Sequence, residues 1–244
     1  VRMPHDNRLN FAYEAQVAER NREDTTRTHD DRYAIEWKNQ SMERISTRVK
    51  VQSLQRRADV ASATLGTDPT DPAYLQRTLM RYDVTALHQT QVKLGVDVAA
   101  ASNLDLGAEV VLKKNHYTDT VLGRTYDERH ELYLTLAYGD MRTLRISAFA
   151  GWELVRYDST HRNISAGTCP IIAPSLTPSP CFDPAQPATT TVYNWSATDR
   201  DRTRTAGLGF DWPAGDRLMV RGSFIWTRAE GAVAVNPQTL TTGA

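Results

Sequence analysis

The chain has 244 residues, and its 29 basic and 29 acidic side chains leave it formally neutral at pH 7. This balance provides no basic surface for a polyanion, so we expect no nucleic-acid partner. The mean hydropathy is negative, and no run of about eighteen apolar residues occurs, so the sequence predicts no transmembrane helix. The strands of a membrane barrel escape this test, because their apolar residues alternate with polar ones.

Alternation of apolar and polar residues with period two recurs through the chain and is clearest at 131–138, where the leucines all fall on one side. A tight link at 139–140 follows, and the pattern then resumes. Such segments predict an all-β, antiparallel sheet with one apolar face and one polar face.

In chain order, the pattern predicts nine strands, at 8–19, 32–38, 43–53, 84–98, 104–114, 129–138, 143–156, 193–212 and 217–228. The predicted connections are short at 39–42, 99–103, 139–142 and 213–216, and long at about 20–31, 54–83, 115–128 and 157–192. Alternating short and long connections are typical of an outer-membrane barrel, with short periplasmic turns and long external loops. The segment 157–192 is then a long external loop.

The apolar positions of these strands form one face, which we call the apolar stripe. No Lys, Asp or Glu interrupts it. The stripe comprises Leu9, Phe11, Tyr13, Val17, Tyr33, Ile35, Trp37, Ile45, Val49, Val51, Val92, Leu94, Val96, Val98, Leu104, Leu106, Ala108, Val110, Leu112, Leu132, Leu134, Leu136, alternate residues of 144–154, Ala206, Leu208, Phe210, Trp212, Leu218, Val220, Phe224 and Trp226.

Aromatic residues fall at the ends of the apolar stripe, at Trp37, Tyr138, Trp212 and Trp226. Amphipathic rings at these positions suit the headgroup level of a membrane, so we predict that they lie at the membrane interface. Aromatic residues in the core of an ordinary sheet would show the same placement.

The opposite side of the same strands, which we call the charged face, carries eight acids and eight bases. They are Glu14, Glu36, Lys38, Arg44, Arg48, Lys50, Lys93, Asp97, Asp105, Glu109, Lys113, Glu131, Arg145, Glu153, Asp211 and Arg221. A protein core would have to pair each of these charges, whereas a wide polar lumen accommodates them. The solvated outer face of a soluble sheet would show the same alternation, so periodicity leaves both interpretations open.

Signatures of catalysis and metal binding are missing from the sequence. The six histidines are scattered, and neither a Cys-x-x-Cys pair nor a Gly-x-Ser-x-Gly elbow occurs. Neighbouring carboxylates such as Asp30 and Asp31 are interpreted as solvated or cation-contacting groups. Gly207 and Gly209, inside a strand pattern, are interpreted as relieving crowding in the sheet. We therefore predict a non-enzyme with no catalytic, cofactor-binding or metal-binding residues.

Two cysteines, Cys169 and Cys181, lie in a segment rich in Pro, Ser and Thr outside the predicted strands. In an oxidising compartment they would close a short loop, so we favour a disulfide over two free thiols. We interpret the chain, which opens at Val1 without a charged and apolar leader, as a mature or partial one.

Several segments resemble the MtrB/PioB family of outer-membrane barrels over roughly residues 75–230. The resemblance rests on Arg81-Tyr82-Asp83, the hairpin 84–114, Asn115-His116-Tyr117, Leu122-Gly123-Arg124-Thr125, the strand pair 129–156, Asn194-Trp195, Asp201-Arg202-Thr203 and the run 207–212.

The resemblance implies a barrel of well over twenty strands, integral to the bacterial outer membrane, that sheathes a periplasmic decahaem c-type cytochrome and contacts outer-membrane lipid. The nine strands then form a segment of one barrel domain spanning 1–244, from the C-terminal half of a longer protein. Haem c is expected on the partner, since the chain has no Cys-x-x-Cys-His motif. The external loops are expected to dock an extracellular multihaem cytochrome.

Lumen charges are the predicted contacts to the cytochrome and its haem propionates. The residues are Arg44, Arg48, Lys50, Lys93, Glu109, Glu131, Arg145 and Arg221. The alternatives are a diffusion porin or transporter barrel without a haem partner, and a soluble all-β binding module.

Overall fold

The computed structural model describes residues 2–3, 7–21, 25–60, 79–80, 82–118, 120, 122–140, 142–164, 192–215 and 217–237. These residues form one sheet. Its strands are β1 (Arg2–Met3), β2 (Asn7–Glu19), β3 (Thr25–Met42), β4 (Ile45–Val60), β5 (Leu79–Met80), β6 (Leu87–Ala101), β7 (Leu104–Tyr117), β8 (Leu122–Asp140), β9 (Leu144–Ile164), β10 (Val192–Pro213) and β11 (Met219–Pro237). Each of the nine predicted strands is present, and the all-β fold class is confirmed. In the described part of the chain, no helix is long and apolar enough to cross a membrane.

The nine long strands pair antiparallel with their neighbours in chain order, whereas the two-residue β5 runs parallel to β8. Among the described residues, β11 pairs with β10 alone and β1 pairs with β2 alone, so the sheet is open. The meander with antiparallel neighbours is the arrangement that outer-membrane barrels use.

The strands are longer than the sequence predicts, and two of the expected long connections are wrong. β3 begins at Thr25 and β8 begins at Leu122, which leaves connections of only 20–24 and 118–121. Likewise β4 continues to Val60 and β9 to Ile164, so the connection predicted at 157–192 is reduced to 165–191. The apolar residues stop alternating before the strands stop pairing. Beyond that point, polar residues occupy the directly opposed positions of the paired strands.

The register places the whole apolar stripe on one side of the sheet. One row of directly opposed residues starts at Leu9 on β2 and ends at Arg228 on β11. The row runs through Leu9, Trp37, Val49, Leu94, Val110, Leu132, Trp152, Arg204 and Arg228. The row therefore starts at the margin of the stripe near the short turns, at Leu9, and passes beyond the margin near the long connections at Arg204.

The apolar stripe is thus inclined to the hydrogen-bonded rows. On β2, the stripe begins near the short turns at Leu9, which lies in the same row as Arg228 of β11. On β11 itself, the stripe begins at Leu218, ten residues before Arg228. The margin of the stripe near the short turns therefore shifts by ten residues along the strand between β2 and β11. With about 3.3 Å per residue and 4.8 Å per strand, this shift corresponds to strands tilted by roughly 40°. Closed barrels require a tilt of this size.

Most of the buried residues that the structure describes lie on the charged face, toward the long connections. Leu54, Leu87 and Tyr117 form a small buried cluster on β4, β6 and β7. The preceding segment 84–86 is also buried against the sheet. Most large apolar side chains are instead exposed, for example Phe11 at 64% and Phe224 at 67%. An apolar surface this extensive indicates contact with a partner or a membrane.

Candidate functional site

The centre of the charged face lies on β4, β6 and β7. Arg48 on β4 pairs with Glu109 on β7 over a distance of 3.0 Å, although β6 lies between them. Gly95 on β6 is opposite both residues, and the Arg48 guanidinium lies 3.6 Å from the point where a Cβ of residue 95 would be. The missing side chain at Gly95 therefore opens the path that joins these two predicted lumen residues.

Two further predicted lumen residues, Lys50 and Lys93, are directly opposite each other on β4 and β6. None of the ion pairs of the described residues involves either lysine. Glu36 is opposite Lys50 on the other side, but its carboxylate pairs with Lys38 at 3.4 Å and accepts a hydrogen bond from Asn10. Like charges in opposed positions destabilise a sheet. The single carboxylate of Glu36 interacts with both Lys38 and Lys50, so this pair of lysines leaves an excess of positive charge.

An acidic group lies in the same row as the lysines, beyond Val111 of β7. Glu131 on β8 and Glu153 on β9 are directly opposite each other, and both pair with Arg129, Glu131 at 2.6 Å. One guanidinium therefore serves two carboxylates, which leaves an excess of negative charge. The charged face thus changes sign between β6 and β9.

The remaining predicted lumen residues lie apart from this centre. Arg221 on β11 pairs with Asp211 on β10 at 3.0 Å, and Arg145 on β9 is directly opposite Asp211. Arg44 is exposed in the turn between β3 and β4, where its carbonyl accepts a hydrogen bond from the Ala99 amide at 2.8 Å. The structure therefore brings Arg48, Lys50, Lys93, Glu109 and Glu131 together but leaves Arg44 at the rim.

An aromatic side chain projects from the charged face between these groups. Phe149 on β9 is directly opposite Gly207 on β10, and a side chain at position 207 would collide with the Phe149 ring. The prediction that glycine relieves crowding in this strand is confirmed at Gly207.

Beyond the apolar stripe, the strand ends toward the long connections form a polar collar that sequence analysis missed. Arg56 on β4 donates two hydrogen bonds to the Asp30 carboxylate of β3, at 2.8 and 2.7 Å, and a third to the Asp83 carbonyl at 3.0 Å. Asp30 raises the pKa of Arg56. The matched dipeptides Asp30-Asp31 and Arg56-Arg57 are the signal that would have revealed it, had both strands been extended.

The collar also anchors the segment that precedes β6. The Arg124 guanidinium lies between the rings of Tyr82 and Tyr157, at 4.2 and 4.3 Å from their centroids. Tyr117 donates a hydrogen bond to Asp127 at 2.5 Å, and burial, followed by this bond, raises the pKa of Tyr117. The contacts of Arg124 with Tyr82, of Arg56 with the Asp83 carbonyl and of the Thr118 amide with the Ala86 carbonyl hold segment 82–86 against the sheet.

The family model described as outer membrane beta-barrel porin, MtrB/PioB, matches residues 1–243. The chain belongs to the MtrB/PioB family. No curated protein matches the chain closely enough to count as a relative.

Membership of the MtrB/PioB family places the chain in the outer membrane as part of a porin-type barrel. The alternative of a soluble binding module is thereby removed. Barrels of this kind present their apolar positions to lipid and their polar positions to the lumen. In this chain the apolar stripe is therefore the lipid side, and the charged face lines the lumen.

The four predicted interface aromatics of this MtrB/PioB chain lie at the margins of the apolar stripe. Trp37, Tyr138 and Trp212 stand at the margin nearest the short turns, and Trp226 stands at the opposite margin. Tyr138 and Trp212 are each about 50% exposed.

Cys169 and Cys181, predicted to form a disulfide, lie outside the described residues. Among the described residues, no group of three His, Cys, Asp or Glu side chains is arranged to hold a metal ion.

Proposed function

We propose that this MtrB/PioB chain contributes to a non-catalytic sheath that holds a periplasmic decahaem c-type cytochrome in the barrel lumen. The cytochrome, and not the barrel, then carries electrons across the outer membrane. The observation that carries the proposal is the charged face, which is continuous over nine long strands and retains an excess of positive charge at Lys50 and Lys93.

Contact with a cytochrome would use this excess positive charge. Haem propionates and acidic side chains are carboxylates, and Lys and Arg bind them through charge-assisted hydrogen bonds. Lys50 and Lys93 are half-buried in the wall, so a guest carboxylate between them would offset their mutual repulsion. Arg48, Glu109, Glu131, Arg145 and Arg221 would orient the guest through polar contacts around this centre.

In this proposal the chain binds no cofactor covalently, and haem c belongs to the partner. The connections 61–86 and 165–191 join strand ends on the same rim of the sheet, which would be the external rim. They would dock a second, extracellular multihaem cytochrome.

A haem spectrum of the purified complex tests the proposal. The full-length, affinity-tagged protein is extracted in detergent from membranes that contain its native partners, and the haem c absorbance per barrel is measured. We expect stoichiometric haem in the wild type and at least a severalfold loss in the double variant Lys50→Glu/Lys93→Glu.

Lys114→Glu serves as the matched control, because Lys114 is exposed on the lipid side of β7, beyond the stripe. The control should retain the wild-type haem content. A wild-type barrel that never carries haem, and that conducts ions through an open pore in planar bilayers, would instead establish the diffusion-porin alternative.

A further inference from the structure

Arginines cluster on the lipid side of the sheet, on β10 and β11. Arg200, Arg202 and Arg204 occupy successive lipid-side positions of β10, and Arg228 is directly opposite Arg204 on β11. All four are exposed. We call them the arginine patch, and neither the charged face nor the lumen includes them.

The arginine patch begins where the apolar stripe ends. Ala206 is the last stripe residue of β10 on this side, and Arg204 is the next lipid-side position toward the long connections. Arg204 is directly opposite Trp152, and Arg202 is directly opposite Leu154, which are the outermost stripe residues of β9. Arginine stems can lie along such apolar side chains while the guanidinium reaches the polar headgroups.

The patch also holds more positive charge than its surroundings compensate. Arg204 is opposite Arg228, and Arg200 is opposite Arg156, although like charges in opposed positions are destabilising. Arg156 pairs with Asp158 at 3.0 Å and Arg228 pairs with Glu230 at 2.5 Å.

Glu230 on β11 is directly opposite Arg202, but its carboxylate pairs with Arg228. The other charges facing the patch do not change this balance. Glu128 on β8 is directly opposite Arg156, and Lys114 is opposite Glu128. None of the ion pairs of the described residues involves Arg200, Arg202 or Arg204. An external anion between these guanidinium groups would remove the repulsion.

We propose that the arginine patch binds the phosphate groups of lipid headgroups in the leaflet at the rim of the long connections. Guanidinium groups bind phosphate through paired hydrogen bonds. A lipid fits better than a free anion, because its acyl chains would lie against Trp152, Leu154 and Ala206 while its phosphate meets the arginines. The proposal depends on the position of the apolar stripe and not on the cytochrome.

Native mass spectrometry of the full-length protein in detergent tests this proposal, with bisphosphorylated lipid A as the titrated probe. We expect Arg202→Gln/Arg204→Gln to weaken binding about tenfold or more, the loss associated with hydrogen bonds to charged groups. Lipid A with both phosphates removed should bind the wild type no better than this variant binds the intact lipid. Arg202→Lys/Arg204→Lys, which keeps the charge but not the paired hydrogen bonds, should weaken binding less than the glutamine variant and controls for folding.

The matched control is Arg142→Gln/Arg217→Gln, which removes the same charge from two exposed turn residues at the opposite rim. This control should bind lipid A as the wild type does. Equal weakening by both glutamine variants, or equal binding of phosphorylated and dephosphorylated lipid A, would overturn the proposal. Displacement of lipid A by an equal concentration of inorganic phosphate would assign the patch to a free anion and would also overturn it.

Discussion

An arginine at the middle of the apolar stripe is the most direct perturbation of the lipid side. Leu134 is the central stripe residue of β8, between Leu132 and Leu136, and it is 39% exposed. Its cross-strand neighbours, Ala108 and Ala150, are small, so no larger side chain shields position 134 from lipid. The Leu134→Arg variant therefore places a guanidinium in the hydrocarbon region.

The expected loss in the free energy of unfolding depends on how deep in the membrane the arginine lies. The stripe covers about nine residues of a strand tilted by roughly 40°, which gives an apolar band about 23 Å tall. Half of this height exceeds the length of an arginine side chain, so the guanidinium cannot reach the headgroups. Arginine at the midplane of a barrel costs about 2–4 kcal/mol, falling to about 0–1 kcal/mol near the interfaces. We expect the first value for Leu134→Arg and the second for Leu144→Arg at the short-turn margin.

Urea unfolding of the full-length protein in lipid vesicles, followed by tryptophan fluorescence, measures both costs. The control is Thr135→Arg, one residue along the same strand but on the charged face, where the side chain enters the lumen. It should change the free energy of unfolding by less than about 0.5 kcal/mol, as surface substitutions usually do. Equal destabilisation at positions 134 and 135, or no loss at 134, would refute a lipid-facing stripe.

Three further predictions concern the collar and the cysteines. Asp30→Asn should lower the free energy of urea unfolding by about 1–3 kcal/mol, because it weakens the buried pair with Arg56. Tyr117→Phe should cost about 1 kcal/mol at neutral pH. Because the pKa of Tyr117 is raised in the folded state, its contribution is complete below pH 10 and declines as the pH rises through the folded-state value, so the variant should show a weaker alkaline loss of stability. For Cys169 and Cys181, the mass of the intact protein should increase by two hydrogens on reduction, whereas alkylation of both thiols without reductant would contradict the disulfide.

The sequence predicts the nine strands, their two faces and most of the lumen charges, because alternation with period two determines which side each residue occupies. The faces are correct even where the strand ends are not. Lys50 and Lys93 illustrate the limit: alternation places both on the charged face, but only the register shows that they are directly opposite. Register depends on turn geometry and strand pairing, which the pattern of single strands does not contain.

The collar was missed for a different reason. Its strands carry polar residues on both sides, so no alternation marks them, although their backbones pair as regularly as those of the stripe. Asp30 and Arg56 lie 26 residues apart in sequence and become partners only through the register of β3 and β4. The same applies to the arginine patch, whose like-charged pairs across β9, β10 and β11 are invisible until the strands are aligned.

The strands are longer than the apolar stripe, and this difference explains how the collar and the arginine patch fit into the same barrel as the stripe. A tilted strand needs about 9–11 residues to cross the hydrocarbon core, whereas β9 and β10 have 21 and 22 residues. The excess lies on the side of the long connections, where lipid cannot stabilise it and apolar residues would be exposed to water. Ion pairs such as Arg56–Asp30 and Arg156–Asp158 replace apolar contacts there. The arginine patch lies at the boundary between the lipid-facing stripe and the water-exposed strand ends, which is the level at which a charged lipid headgroup would lie.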